Sequence, residues 1–402
     1  MHTLRLAWRN IGRNGRRTAI TAAALGVGVA LVVFVWALMT GMFGRIVLVA
    51  TGSLTGHAQI HAGDWRTTRD ERTTLPHTAD LLARARALPG VVAATPRVYT
   101  TGLLAVGDRA QGVQVLGIQP ESERDVTNWG RRLVAGRLVA GPGEVVIGAE
   151  LARVLDVEVD TRLVLTVADV ETGAGEPERV ELVGVLATGD PGLDKQTAIV
   201  SMALAQRLLG VAEAHEIALL VDRPPGDQAA IEAVIAPLAA PGLAVEPWQA
   251  INRMVAQALA LQGVFLGIFV AIIFFLLAFG IVNTVAMSLA ERTREFGVLR
   301  ALGTPPGRLA GLILAEAGWL GVVGAVPGAL IGAALTGWLG AVGLDLGATS
   351  AYGVRFTEPL YPHLSVAVTA GVAALFVALT MLTAGLAAWR VTRIRPVDAL
   401  RR

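Results

Sequence analysis

Cysteine is absent from the 402 residues, which rules out a disulfide framework, thiol chemistry and cysteine-ligated zinc. Of the 34 basic residues only Lys195 is a lysine, and it follows Asp194. A phosphate-cradling loop of the G-x-x-x-x-G-K-[ST] type needs a lysine after its last glycine, so this chain cannot split ATP by that route alone. Neither H-E-x-x-H nor G-x-S-x-G occurs, and the catalytic machinery those motifs announce is therefore not expected. The six histidines are scattered. His57 and His61 share one face of an expected strand, but a surface strand with polar alternation accounts for them, and no metal site is expected.

Charge is missing from four long runs: Thr18–Gly44, Met254–Ala290, Ala317–Leu344 and Pro359–Trp389. Each exceeds the ~20 residues that a helix needs to cross a hydrocarbon layer of ~30 Å. Backbone groups facing lipid must find their partners within their own segment, so these runs are expected to be helices. The composition, 53% hydrophobic and 16% charged, is too apolar for an ordinary soluble chain. The fold class that follows is membrane α-helical, with four transmembrane helices and an α+β extracytoplasmic domain between helices 1 and 2.

The sparse charge is unevenly placed. Met1–Arg17 carries Arg5, Arg9, Arg13, Arg16 and Arg17 without an acid, and Arg292, Arg294, Arg300 and Arg308 lie between the second and third runs. Arg390, Arg393, Arg395, Arg401 and Arg402 follow the fourth run, whereas Arg45–Arg253 holds 19 basic against 26 acidic residues. The bias of basic residues toward the cytoplasm puts both termini and the 291–308 loop inside, and the segment of ~210 residues outside. The basic balance thus reflects topology, and nucleic acid is not an expected partner. The first run is longer than a signal-peptide core and no small-residue cleavage site follows it, so it reads as an uncleaved anchor.

Two runs are longer than a bilayer. At 1.5 Å per residue the first spans about 40 Å and the second about 55 Å, and tilt absorbs little of that excess. Both helices are therefore expected to continue outward as stalks. Gln249, Arg253 and Gln257 fall at i, i+4 and i+8, a polar stripe suited to the solvated part of the second stalk. The alternative is a separate short helix with a break near Gly263.

In the outer domain, a strand at Gly56–His61, a helix at Thr78–Leu88, a Pro89-Gly90 turn and apolar runs at Val91–Tyr99 and Val113–Ile118 are expected. The pattern recurs at the far end, with a strand at Ile217–Val221, a helix at Gly226–Ala239, a Pro241-Gly242 turn and a strand at Leu243–Glu246. Two such units suggest a pseudo-symmetric α+β subdomain. Between them, at about 135–215, short strands such as Glu144–Ile147, Leu163–Val167 and Val180–Leu186 read as an inserted β-rich subdomain.

The strongest positive signal lies between the second and third runs. Glu291-Arg292-Thr293-Arg294-Glu295-Phe296-Gly297-Val298-Leu299-Arg300-Ala301-Leu302-Gly303 spaces Phe296, Leu299 and Leu302 as one helical face, and Gly303 with Pro305-Pro306 ends it. By composition, such a helix could lie on the membrane or fill a groove on a cytoplasmic partner. Entered from Ser288-Leu289, this segment resembles the coupling helix of ABC permeases of the MacB, LolC/LolE and FtsX type. Trp8-Arg9-Asn10 through Arg16-Arg17-Thr18 is similar to their basic helix before the first span. Glu316-Ala317 with the Gly-rich run after it resembles their third span, and Arg395-Pro396-Val397-Asp398-Ala399-Leu400-Arg401 their carboxyl tail.

The resemblance implies a mechanotransmission permease in a bacterial inner membrane. It would work as a homo- or heterodimer on two copies of a separate cytoplasmic ATPase, which binds the ATP and Mg. No cofactor or catalytic residue belongs to this chain. Glu291, Arg294, Glu295, Phe296, Leu299 and Arg300 would contact the ATPase, with Phe296 and Leu299 as buried anchors. Tyr99–Ile118 and Gly56-His57-Ala58-Gln59-Ile60-His61 look most like the lipoprotein-releasing branch, which hands lipoproteins to a periplasmic carrier. MacB-like export of peptides or drugs, FtsX-like signalling to a cell-wall hydrolase, and a receptor without an ATPase are the competitors.

Glu316 is a carboxylate inside an apolar span, where insertion at mid-bilayer costs roughly 2.5–3.5 kcal/mol. An ion pair with an Arg at the cytoplasmic end, or with another span, is expected for it. Small-residue rows at Gly263/Gly267 and at Gly324, Gly328 and Gly332 favour close helix contacts, and Pro327 is expected to kink the third span. The expected organisation is a cytoplasmic amphipathic helix (1–17), helix 1 with stalk (18–54), the extracytoplasmic domain (55–248) and the stalk with helix 2 (249–290). The coupling helix and loop (291–308), helix 3 (309–344), a short extracytoplasmic loop (345–363), helix 4 (364–389) and a cytoplasmic tail (390–402) complete it.

Overall fold

A computed structural model of the protein describes residues 7–9, 15–345, 350–351, 354–355 and 359–392. The remainder of the amino-terminal helix expected at 1–17 and the 393–402 part of the tail lie outside the described residues. The chain forms two compact units: one of residues 1–43, 260–345 and 359–402, the other of 44–259 and 346–358.

Among the described residues, four helices are long and apolar enough to cross a membrane. They are α1 (Gly15–Ala50), α8 (Arg253–Glu291), α10 (Pro306–Val342) and α11 (Val366–Thr392), and α9 (Thr293–Ala301) joins α8 to α10. At 36 and 39 residues, α1 and α8 reach about 54 and 58 Å, well beyond a hydrocarbon layer. α1 ends in a π-turn at Thr51–Thr55, where Gly56 takes φ +63° and its N–H returns to Thr51 O at 2.9 Å. A side chain at Gly56 would also meet Leu219 O at 2.7 Å.

The second stalk differs from the expected continuous stripe. Trp248–Ile251 is a separate turn of helix, and the break falls at Asn252 rather than near Gly263. The Asn252 carbonyl accepts from Ala256 N–H at 3.0 Å, and its Oδ1 accepts from Val255 N–H at 3.2 Å. Asn252 is thus a side-chain cap that starts α8 afresh. α10 runs without interruption through Pro327.

In the first unit the helices meet over glycine. Gly324, Gly328 and Gly332 of α10 lie against Ala22, Gly26 and Ala30 of α1, and a Cβ on Gly328 would collide with the Gly26 backbone. Such small-residue rows let helix backbones approach, the main source of packing energy in lipid. On α8, by contrast, a side chain at Gly263 or Gly267 would meet nothing within 4 Å of its Cβ.

The second unit is built on a ten-stranded sheet. Its first part pairs β10 (Leu243–Pro247), β1 (Ala58–Ala62), β9 (Glu216–Val221) and the start of β2 (Val91–Val106) in antiparallel order. Helices α2 (Thr78–Ala87) and α7 (Gln228–Ile235) make the crossovers of two strand–helix–strand units. β1 is buried at all five positions, and it lies between β10 and β9. The surface strand expected around His61 is therefore a central one.

The β-rich part is not a separate sheet confined to about 135–215. β2 pairs with β9 through Val91–Arg97 and with β3 (Arg109–Ile118) through Arg97–Val106. From there β3, β8 (Thr197–Ser201), β5 (Glu144–Gly148), β7 (Gly175–Leu186) and β6 (Arg162–Ala168) return to β2, closing a ring of six strands. β4 (Leu133–Gly136) pairs on the outer side of β7. Alternation along each strand gives one cluster with Val113, Val115, Val145, Ile147, Leu163, Leu165 and Val200. The opposite parity gives another, with Leu116, Ile118, Val146 and Ile199 around Trp129.

Buried charge joins the two halves of this sheet. Arg97 is fully buried and pairs with Glu123 of α3 (Pro120–Val126) at 2.7 Å and with Glu216 of β9 at 3.0 Å. Burial pushes the Glu216 carboxyl up to about 7, against the pull of the Arg97 guanidinium.

Candidate functional site

The loop helix α9 and the turn that follows it present five residues at helical spacing to solvent. Arg294, Glu295, Val298, Leu299 and Leu302 are exposed, the last at 78%, whereas Gly297 on the opposite side is buried. The spacing i, i+1, i+4, i+5, i+8 places them on one face. Charge thus lies at the start of this face and apolar surface at its end. Glu291, the last residue of α8, is likewise exposed. Phe296 and Arg300 lie on α9, but their side chains are outside the described ones.

A network of polar side chains holds the ends of three long helices beside α9. Arg292 forms the turn between α8 and α9 and is 14% exposed. Its Nη1 donates to both carboxylate oxygens of Glu316 on α10, at 3.0 and 3.2 Å, and its Nε donates to Glu295 at 3.0 Å. Burial disfavours the Arg292 charge, yet the Glu316 and Glu295 carboxylates outweigh it and hold the guanidinium above its ordinary pKa. Arg17 on α1 pairs with Glu291 at 3.5 Å and also donates to the Thr284 carbonyl of α8. The Thr21 and Thr284 hydroxyls meet at 3.1 Å across α1 and α8.

Glu316 therefore has the arginine partner expected for it. The partner, Arg292, lies among the loop arginines of the sequence but was not among the singled-out residues. No local spacing reveals it, because residues 24 positions apart meet only once the α8–α9–α10 turn is formed. Arg17 and Thr284 escape sequence reasoning for the same reason.

The stalk residues separate. Arg253 and Gln257 are exposed one turn apart on α8. Gln249 instead donates from Nε2 to Pro225 O at 3.1 Å, and its Oε1 is buried without a partner. It belongs to the turn before Asn252, so the three residues do not form one stripe. The sequence signal for this was Asn252 itself, a favoured capping residue.

Elsewhere in the first unit, an apolar groove of about 500 Å³ runs between α1 and α10 beside the glycine row. Val27, Leu31, Phe34, Pro327, Ile331 and Leu335 form its walls. Near the start of the chain, Trp8 meets Trp319 of α10 edge to face with centroids 5.0 Å apart.

Residues 18–238 match the MacB-like periplasmic core domain, and residues 267–396 match the FtsX-like permease C-terminal domain. The chain belongs to the MacB/LolC/FtsX type of ABC permease. The permease is 26% identical over 330 residues to the lipoprotein-releasing system transmembrane protein LolC of Neisseria meningitidis, covering 79% of this chain and 76% of the relative. It is 25% identical over 415 residues to the protein of the same name from Xylella fastidiosa, covering 97% and 95%. Among solved structures, the periplasmic region of MacB from Actinobacillus actinomycetemcomitans is 14% identical, covering 52% of this chain and 94% of that one at a TM-score of 0.38. The match of residues 18–238 to the MacB-like periplasmic core domain makes the second unit the permease's periplasmic domain, and the four long helices form its membrane part.

Proposed function

We propose that the permease couples ATP hydrolysis by a separate cytoplasmic ATPase to movement of its periplasmic domain, extracting lipoproteins from the inner membrane for release to a periplasmic carrier. The exposed face of α9 carries this reading. Val298, Leu299 and Leu302 present apolar surface beside Arg294 and Glu295, which suits a helix seated in a partner's groove. Force applied to α9 reaches α10 through Arg292–Glu316 and α1 through Glu291–Arg17. The long α1 and α8 are the rods that would carry motion outward, with both termini cytoplasmic. Two copies of the chain, or this chain and a paralogue, would complete the assembly.

The names of two relatives, both lipoprotein-releasing system transmembrane proteins, support lipoproteins as the cargo. The uncharged groove between α1 and α10 is consistent with it, because apolar walls favour acyl chains by about 0.8 kcal/mol per buried CH₂.

The coupling is tested by Leu299→Asp. That variant loses co-purification with the ATPase while its thermal unfolding in detergent stays like that of the parent. Undiminished capture of the ATPase would sink the assignment of α9. The cargo is tested by depletion. Lipoproteins held back in the inner membrane support the reading, whereas drug or toxin sensitivity with normal lipoprotein sorting points to MacB-like export, and unseparated cells to FtsX-like signalling.

A further inference from the structure

The segment 64–77, between β1 and α2, runs as a strap across both parts of the periplasmic sheet. Its short helix Trp65–Thr68 buries Trp65 beside His61 of β1. Further along, Glu71 accepts from Thr101 N–H, in the ring part of β2, at 2.9 Å. Arg72 donates from Nε and Nη2 to Val170 O, in the turn between β6 and β7, at 3.1 and 2.8 Å. Leu75 N–H donates to Ala214 O at 2.7 Å. Arg69 and His77 hold positive φ, at +52° and +50°, which residues other than glycine keep only where the surroundings over-determine the backbone.

One imidazole joins these contacts. His215, the residue before β9, is fully buried. Its Nδ1 accepts from Tyr99 N–H at 2.9 Å and its Nε2 donates to Glu71 O at 2.8 Å, so the ring is held as the neutral tautomer protonated at Nε2. The same ring stacks on Trp65, at 12° with centroids 5.5 Å apart. A second proton has to enter at Nδ1, where Tyr99 N–H already points, and two donors cannot share that gap. Charging His215 therefore requires it to part from Tyr99, which disturbs the contacts that this ring makes with Glu71 and Trp65. Burial holds the imidazole below its ordinary pKa of 6.5, and Arg69 acts in the same direction. The Glu71 contact and the Glu71 and Asp70 carboxylates pull the other way without overcoming burial. Of the other titratable groups nearby, Arg97 is paired with Glu123 and Glu216, and burial keeps the Tyr99 hydroxyl protonated. Glu213 accepts from Thr78 N–H at 2.9 Å, and His61, beyond Trp65, has Glu246 as its partner at 3.3 Å.

We propose that this strap is an acid-released clasp, which fixes the strand ring to the first part of the sheet until His215 takes up a proton at Nδ1. Near neutral pH the clasp is closed, because the imidazole is uncharged whether held or released. Its contribution is fully present above the ordinary pKa of 6.5 and is lost as pH falls below that value. The loss is about tenfold in the closing equilibrium per pH unit, until the lowered value of the held ring is reached. Opening loosens the ring against β1 and β9, so acidity on the periplasmic side sets how rigid the domain is. The clasp lies wholly within the periplasmic unit and acts whichever cargo the permease moves.

The test is hydrogen–deuterium exchange of the full-length permease in detergent at about pH 7.5 and about pH 5, read as protection factors so that the intrinsic pH dependence of exchange drops out. Leu75 N–H reports the clasp, and peptides of β5 report the ring itself. The parent is expected to lose at least about tenfold in protection at Leu75 on acidification, with β5 unchanged. His215→Gln keeps an acceptor and a donor without a titrating ring, and its protection at Leu75 is expected not to change with pH. Glu216→Gln, which removes the neighbouring titration at about 7, keeps the parent's loss. The proposal is overturned if protection at Leu75 in the parent is independent of pH or falls together with that of β5. It is equally overturned if His215→Gln loses protection as the parent does, or if Glu216→Gln abolishes the loss. Should His215→Gln fail to fold, Asp70→Asn decides instead. It removes an exposed carboxylate that favours the charged imidazole, so the release midpoint falls by roughly 0.2–0.5 pH unit, and an unmoved midpoint overturns the clasp.

Discussion

The periplasmic domain and the membrane helices are held together by opposite means. In the domain, branched aliphatic side chains fill a ring of strands, and one fully buried arginine is satisfied by two carboxylates. In the bundle, α1 and α10 meet over small residues whose backbones nearly touch, and the ion pairs described gather at the ends of the helices. Water makes the first arrangement favourable, because burying apolar surface is itself a driving force there. Lipid tails are as apolar as leucine, so the helices gain mainly by close van der Waals contact. A large side chain is therefore a gain inside the domain and an obstacle in the glycine seam.

The largest test of that contrast is Arg97→Met. It leaves Glu123 and Glu216 buried without their counter-charge and is expected to cost about 3–5 kcal/mol, read by chemical denaturation of the purified permease. Replacing both acids by glutamine in the same chain should recover most of the loss. If the single variant is as stable as the parent, the domain does not depend on its buried charge.

Next comes Gly328→Leu, which forces the α1–α10 seam apart and is expected to cost about 1–3 kcal/mol. Gly263→Leu serves as its control, because nothing lies within 4 Å of a Cβ there; no loss of stability is expected in the purified monomer. Equal losses at both positions in thermal unfolding would mean that the seam is not where the bundle is sensitive.

A smaller effect is expected at the helix ends. Glu316→Gln weakens the pair with Arg292, whose groups are 19% and 14% exposed, and is expected to lower stability by about 1–2 kcal/mol. ATPase activity in the complex should fall by more than this loss of folding explains, if the pair also relays motion from α9. An unchanged rate in the reconstituted complex would leave Arg292–Glu316 a purely structural pair.

The buried charge also sets a pH dependence. Glu216 is raised from the usual carboxyl range to about 7 in the folded domain, chiefly by burial. A raised pKa stabilises fully at pH below the unfolded value and loses that contribution as pH rises through about 7. Glu216→Gln should therefore flatten the fall in melting temperature between roughly pH 4.5 and 7. A slope identical to the parent's would place the titrating group elsewhere.

Much of the fold was legible because it follows from local rules. The uncharged runs marked the spans, and the two strand–helix–strand units of the domain showed in their periodicity. The Pro89-Gly90 and Pro241-Gly242 pairs marked turns where Gly90 and Gly242 indeed take positive φ. Misreadings arose where a partner decides. His61 read as a surface residue, yet it is buried on a central strand beside Trp65. Gln249 shared the spacing of Arg253 and Gln257, yet Asn252 starts a new helix between them. The exposed face of α9 was visible as an amphipathic pattern, whereas the arginine that ties it to α10 was not.

Sequence alone determined how many segments can cross a bilayer, since that depends on hydrocarbon thickness and on the charge within one stretch of chain. Tertiary structure alone decided that the Gly324–Gly332 row meets α1 while Gly263 and Gly267 stay open, that β6 closes the strand ring onto β2, and that Glu316 pairs with Arg292. Those are properties of pairs of elements, set by which surfaces can approach most closely, and no single segment contains them.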